Sequence, residues 1–453
     1  MYKFILAARY LFKRRISYLA ISAVALSVFV VLVVITVLNG ISENFKGYIH
    51  QSIGDCVIHS KSLVGFGYYD EFLEELERQP YVAAASPVIK NYALISVRDS
   101  GGLSVYGDFT KEIIGIEPVS YSRVTGFSEW LGYNRENPQM VFRPWYDPNL
   151  PGCVPGIGFL FTRDKMGAYN TADSASPAAF EINCIPLTAR GALARAGAGE
   201  FSSKTFYYSD HFQAGYSIDW RLFYIPFEDA QLLSGMGIGH KRISAIHIKF
   251  TPQTDLQAGC DKIKTLWNDF INTKSDAPYF NLLERASVQS WKEYSRMMVA
   301  LVETQQTLMI FCFAMIGLII VSIIFVVFDM IISHKSKDIG ILKSIGTSNF
   351  SVISIFMLFA LFISIAGSAI GTLAGWRFLV HINEIERWVF ENFEFQLWDR
   401  SISSMGDIPN TMNFNSLLII LICSAGVCML GALLPSFKAS RAKCVDTLQV
   451  AQL

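Results

Sequence analysis

The chain has 453 residues, 52% hydrophobic and 17% charged, with a mean hydropathy of +0.34, whereas a soluble globular chain is usually about 25% charged. Lysine plus arginine balance aspartate plus glutamate, 38 against 38, so no basic face is available for nucleic acid. The apolar excess is gathered into four blocks, which excludes an ordinary soluble protein.

Residues 1–15 pair Phe4, Ile5, Ala8, Leu11 and Phe12 with Lys3, Arg9, Lys13, Arg14 and Arg15, the pattern of an amphipathic helix on a membrane surface. Uncharged stretches then separate Arg15 from Glu43, Glu303 from Asp329, Lys343 from Arg377, and Asp407 from Lys438. Each exceeds the roughly 20 helical residues needed to cross a hydrocarbon core. They predict spans at 16–42, 304–332, 351–380 and 414–435. The first reads as retained rather than cleaved, because its apolar run outlasts a signal-peptide core and Asn39-Gly40-Ile41 is a poor cleavage site.

Basic residues crowd segments 1–15, 333–350 and 436–453, while loop 381–413 carries Glu384, Glu386, Glu391, Glu394, Asp399 and Asp407. By the positive-inside bias both termini and 333–350 are cytoplasmic. Residues 43–303 and 381–413 then lie on the far side. The fold class expected is a membrane α-helical protein with four transmembrane helices plus a large α/β extracytoplasmic domain carrying an inserted, mostly β subdomain.

Within 43–303, Asp55–His59 reads as a strand, Tyr69–Gln79 as a helix, and Val82–Ile89 as a strand ending near Pro87. Ile243–Phe250 alternates like a half-buried strand. In Thr254–Asn272, Leu256, Cys260, Ile263, Trp267 and Phe270 share one helical stripe. Segments 43–91 and 241–290 therefore form an α/β unit. Residues 92–240, rich in short β-like runs and turns, form the inserted subdomain. Residues 166–204, rich in alanine, glycine and serine, read as a long loop or insertion. Residues 288–303 run without a breaker into the second span and read as a stalk helix.

The seven histidines form no HExxH pattern, and neither GxSxG nor a paired CxxC occurs. Gly-Lys is absent, so there is no phosphate loop; Leu233-Ser-Gly-Met-Gly237 superficially resembles an ABC signature loop but reads as a glycine-capped helix end. The chain is thus expected to be non-catalytic, to hold no metal or cofactor, and to leave any ATP use to a partner. No charge lies centrally in a span, which disfavours an ion or proton path. Cys56, Cys153, Cys184 and Cys260 face the oxidising side. Cys153–Cys184 would close the insertion and Cys56–Cys260 would tie the two bracketing units; free buried thiols are the alternative.

Lys335-Ser-Lys-Asp-Ile-Gly-Ile-Leu-Lys-Ser-Ile-Gly346 resembles the cytoplasmic coupling segment of FtsX-like, MacB-type ABC permeases, and Leu434-Pro-Ser-Phe-Lys-Ala-Ser-Arg441 resembles their exit from the fourth span. Asn39-Gly40, Gly115-Ile-Glu-Pro118, Val124-Thr-Gly126, Tyr224-Ile-Pro-Phe-Glu-Asp-Ala-Gln231, Ser290-Trp-Lys-Glu293 and Asp407-Ile-Pro409 narrow the resemblance to lipoprotein-releasing permeases of the LolC/LolE type. The insertion around 166–204 and the ending Ile323-Ile-Phe-Val-Val-Phe-Asp329 of span two depart from that pattern.

The resemblance implies a permease in the inner membrane of a Gram-negative-type bacterium. It would work with a cytoplasmic LolD-like ATPase, which binds ATP and magnesium, and with a second permease copy or paralogue. Lys335, Lys337, Asp338, Ile339, Gly340, Ile341, Leu342, Lys343, Ile345 and Gly346 would seat in the ATPase, with Asp338 complementing a helix N-terminus. Lipoprotein acyl chains would enter an apolar cavity between spans one and two of the paired permeases, with Val31, Ile35, Leu38, Met309, Phe313 and Ile316 as candidate walls. A LolA-like periplasmic carrier would receive the cargo. An FtsX-like mechanotransmitter acting on a cell-wall hydrolase and a MacB-like exporter are the alternatives.

Overall fold

The structure is a computed structural model that describes residues 15–98, 104–161, 169, 178–194, 202–214, 221–237, 239–334, 341, 343–395, 398 and 407–441. It divides into a helical unit (Met1–Glu43, Ala300–Leu397, Asp407–Leu453) and a sheet unit (Asn44–Val299, Trp398–Gly406). The N-terminal amphipathic segment lies outside the described residues.

Among the described residues, four helices are long and apolar enough to cross a membrane: Ser17–Ile53, Arg296–Ser333, Asn349–Phe393 and Phe414–Arg441. They outrun the uncharged stretches because charge does not end a helix; caps do. The first continues past Glu43 to Ile53, where Gly54, at φ +87° with its N–H donating to the His50 carbonyl at 2.8 Å, turns the chain. The third starts behind Ser348, whose hydroxyl accepts from the Ser351 N–H, and runs through Arg377 to Phe393. The first part of 381–413, expected as loop, is therefore helix.

The helices meet through small residues, the packing that membrane interiors favour. Gly367, Gly371 and Gly375 step by four along the third helix. A Cβ on these glycines would strike Val24, the Ala25 carbonyl and Leu32 of the first helix, respectively. Ser368 and Ser424 hydroxyls lie 3.0 Å apart between helices three and four. Leu32, Phe328, Phe359 and Ala432, one from each helix, centre a common core. Among the described residues, the return loop is fixed by Asn383, whose amide donates to the Ile408 carbonyl at 3.2 Å and accepts from its N–H at 2.8 Å. Gly40 meets the next residue, Pro409, so closely that no side chain fits. Replacing Gly371 by leucine is expected to destabilise the helical unit by about 1–3 kcal/mol through overpacking. The melting temperature in detergent should fall; an unchanged value would show a loose contact.

In the sheet unit the strands are β1 (Cys56–Ser60), β2 (Phe66–Gly67), β3 (Val82–Arg98), β4 (Ser104–Ile116), β5 (Gly152–Pro155), β6 (Ala179–Cys184), β7 (Ser202–Tyr208), β8 (Leu222–Pro226), β9 (Arg242–Ile243), β10 (Ala245–Phe250) and β11 (Ala286–Ser290). Nine form one sheet in the order β11-β1-β10-β3-β4-β8-β5-β7-β6, and β6 pairs back onto β3. The last six strands of that order thus close into a ring. Phe180, Ile182 and Cys184, alternate residues of β6, join Phe206 and Phe223 in its filling.

The predicted boundary at 91/92 falls inside β3, whose first part pairs with β10 and whose last part pairs with β6. The α/β unit and the β-rich insertion therefore share a strand and one continuous sheet. Pro87 does not end β3. Val88 uses its carbonyl to accept from Ser244 on the β10 side, so Pro87 directs its missing donor to the other side. There β4 pairing begins only at Val88, opposite Ile116, leaving no ladder bond to lose. Segment 166–204 is not simply loop, since it contains β6 and the start of β7.

The stalk helix over 288–303 is also wrong. Val288–Ser290 belongs to β11, an edge strand on β1. Ser290 and Glu293 then make a capping box that starts the short helix Trp291–Tyr294, and the long helix restarts at Arg296. A short apolar run cannot be assigned to strand or helix by periodicity alone.

The helix predicted at Thr254–Asn272 spans Leu256–Thr273, with the Asp255 carboxylate accepting from the Gln257 and Ala258 amides. Its predicted stripe is buried at Cys260, Ile263, Trp267 and Phe270. Asp55, between the first helix and β1, accepts from the Phe250 amide and pairs with His50 Nε2, each at 2.7 Å. Burial alone would raise its pKa, yet these bonds hold it below the usual value.

The Cys153–Cys184 pairing does not hold. Cys153 lies beside Tyr208 at one end of the seven-residue β7, and Cys184 lies opposite Ser202 at the other end. That is about 20 Å of strand, against a Cα separation below about 7 Å in a disulfide.

Candidate functional site

Two features of the helical unit invite function, and the first is an apolar cavity. At one level Gly431 of the fourth helix lets it close on Ile324 of the second, where a Cβ would sit 2.8 Å from a methyl group. At Gly317 the same pair has separated, and a Cβ would meet only Val427, at 4.0 Å. The divergence opens a cavity of about 480 Å³ walled by helices one, two and four, within the roughly 300–1,000 Å³ typical of ligand pockets.

Val31, Ile35, Phe313 and Ile316, expected to wall a cavity between paired permeases, line this one within a single chain; Leu38 and Met309 do not. The fourth helix, absent from the sequence expectation, contributes Ile420, Ser424 and Val427. Its wall carries no ionisable carboxylate, amine or imidazole, and the Ser424 hydroxyl is engaged with Ser364 and Ser368 of the third helix. Such a surface can hold hydrocarbon and offers nothing to an ion. Among the described residues no group of histidine, cysteine or carboxylate side chains is placed to hold a metal.

The second feature is the turn between helices two and three. Lys335, Lys337, Asp338, Ile339, Gly340 and Leu342 lie outside the described residues, whereas Ile341, Lys343, Ile345 and Gly346 lie within them. Lys343 Nζ donates to the Ser440 carbonyl at 2.6 Å, so a cation caps the C-terminal end of the fourth helix. Gly346, at φ +92°, accepts the left-handed turn that ends this segment. Ile332, Val352, Phe356 and Ala439 pack beneath it from three helices. Ile341 and Ile345 take no part in that cluster and are 52% and 77% exposed. The segment is therefore anchored through Lys343 and presents isoleucines outward. The sequence did not disclose that Lys343 has an internal partner, because Ser440 is remote in the chain and only its backbone carbonyl is used.

Residues 310–443 match the family described as FtsX-like permease C-terminal. The lipoprotein-releasing system transmembrane protein LolC of Xylella fastidiosa is 23% identical over 26% of this chain, and the match spans 29% of that relative. The protein of the same description from Neisseria meningitidis is 22% identical over 96% of this chain and 94% of its own length. Among solved structures, the periplasmic region of MacB from Actinobacillus actinomycetemcomitans aligns over 55% of this chain and 95% of its own, at 14% identity and a TM-score of 0.29. Residues 310–443 are thus similar to the C-terminal domain of FtsX-like permeases, and the chain resembles LolC along nearly its whole length.

Proposed function

We propose that this permease works with a separate cytoplasmic ATPase to lift lipoproteins out of the outer leaflet of the inner membrane. Supporting the reading most directly is the uncharged cavity, which four residues chosen for acyl-chain contact help to line. In the arrangement we propose, both termini and the 333–350 turn face the cytoplasm and the sheet unit faces the periplasm. ATP and magnesium belong to the ATPase, and a second copy or a paralogue completes the permease pair. A periplasmic carrier takes the released cargo.

The energetics favour such a division of labour. Withdrawing an acyl chain from a bilayer forfeits about 0.8 kcal/mol per CH₂, so a chain of ordinary length needs both an energy source and an apolar receptor. The cavity supplies apolar surface on the way out, and the exposed isoleucines supply the contact through which ATPase closure would act. Depleting the protein and fractionating inner and outer membranes tests the cargo: lipoproteins should accumulate in the inner membrane. Unchanged sorting would reject extraction and leave the mechanotransmitter or exporter.

A further inference from the structure

We infer that Ser42 and Gln306 form a latch at one end of the apolar cavity, and that this end opens to let the acyl cargo out. The inference rests on the proposed extraction of lipoproteins and adds to it the exit and the residues that hold it shut. The Gln306 amide donates to the Ser42 hydroxyl at 2.9 Å, and Ser42 is 5% exposed. The bond ties helix one to helix two, which wall the cavity together with helix four. Helical spacing places it at the cavity's end. Along helix one, Val24, Val28, Val31 and Ile35 face the cavity, and Ser42 lies two turns beyond Ile35 on the same stripe. Along helix two, Gln306 lies one turn before Ile310, which lines the cavity. Leu38 and Met309 fall between these last wall residues and the hydrogen bond, and neither lines the cavity. The cavity therefore ends where the pair is tied.

The two ends are closed by different means. At the far end Gly431 brings helix four onto helix two, where a Cβ would stand 2.8 Å from Ile324 and 2.9 Å from the Val321 carbonyl oxygen. Backbones packed this closely resist separation. At the Ser42 end, closure rests on two uncharged side chains, and hydrogen bonds between membrane helices are weak. Such a bond breaks and re-forms readily, and both partners can turn to water when the helices part. The wall residues Ile310, Leu318 and Ile419 are also largely exposed, so the cavity has a side opening between helices two and four. An acyl chain thus enters from the side and leaves lengthwise past Ser42 and Gln306. In the proposed topology that end is periplasmic, on the side of the carrier.

The variant Ser42→Cys/Gln306→Cys tests this in the permease purified with its ATPase and reconstituted with a triacylated lipoprotein and a periplasmic carrier. A short bifunctional methanethiosulfonate links the two cysteines. Proteolysis within the sheet unit and non-reducing electrophoresis confirm the link, and the single variants Ser42→Cys and Gln306→Cys control for the natural cysteines. ATP-dependent release to the carrier should be lost in the linked protein and return when reductant cleaves the linker. Linking should also be slower during ATP turnover than at rest, because turnover opens the latch. A second measurement needs no added cysteine. Gln306→Ala unties the end, so the nucleotide-free complex should retain less lipoprotein, and the exchanged pair Ser42→Gln/Gln306→Ser should restore retention. Undiminished release by the linked protein, or retention unaffected by Gln306→Ala, overturns the latch and leaves extraction standing. Absence of ATP-dependent release by the unaltered permease overturns extraction and the latch together.

Discussion

Replacing Ile341 and Ile345 together by aspartate is expected to abolish co-purification with the ATPase while the permease still inserts and folds. Both side chains are largely exposed, and neither belongs to the cluster of Ile332, Val352, Phe356 and Ala439 beneath the turn. Their loss therefore leaves that cluster intact. Lys343, the charged neighbour between them, already serves the fourth helix through the Ser440 carbonyl. On the proposed reading the two isoleucines enter an apolar cleft of the ATPase. Burying a carboxylate there without a partner costs several kcal/mol, and about 1.4 kcal/mol weakens binding tenfold. Two such burials should reduce binding by at least about a thousandfold, beyond recovery in a pull-down. If the turn instead only met anionic lipid, the complex would survive, and persistence of a normal complex would remove the coupling assignment.

How far the sequence discloses this molecule depends on the range of the interaction concerned. The four long helices follow from uncharged runs, a local property, although their true ends needed the caps at Gly54 and Ser348. The make-up of the cavity within the chain was less legible. Hydropathy and family resemblance pointed to helices one and two, but the fourth helix enters only because Gly431 and Gly317 place tight and open contacts at different levels. The four-residue spacing of Gly367, Gly371 and Gly375 is a local signal of a helix-packing face. The Ser-x-x-Glu box at 290–293 is another, since it marks a helix start and argues against a continuous stalk. The extent of β3 was only partly legible: Val82–Ile89 reads as a strand, but Pro87 suggests an end, and the continuation to Arg98 depends on pairing with β4 and β6, which are remote in the chain.

Nothing local announces the role of Arg242, and its replacement by methionine is expected to give the largest loss of stability in the sheet unit. Arg242 is 1% exposed, the bulkiest of the fully buried side chains. Nη1 donates to the Val64 carbonyl at 2.7 Å, and Nη2 donates to the carbonyls of Leu187 at 2.9 Å and Gly235 at 2.8 Å. One guanidinium thus holds three loops remote from one another in the chain.

The Gly235 contact also explains the segment resembling an ABC signature. Gly235, at φ +72°, turns the chain after the helix Phe227–Leu233 and aims its carbonyl at the arginine. The motif is a helix cap serving a structural cation. Burial disfavours the charged guanidinium and lowers its pKa, so methionine relieves a desolvation penalty while preserving much of the stem's packing. The opposing loss is greater. Hydrogen bonds from a charged donor contribute about 1.5–3 kcal/mol each after desolvation is counted, and methionine leaves three inward-facing carbonyls without their donor. A net loss on the order of 4 kcal/mol follows even if the three bonds are far from additive. Lysine should recover only part of it, since an ammonium cannot reproduce the guanidinium fork. Chymotrypsin digestion of the full chain in detergent reads the outcome, with cleavage near residues 62–66 and 186–188 rising first in the methionine variant. Protease resistance equal to that of the unaltered protein would mean that the three loops are held by their other contacts and that Arg242 is incidental.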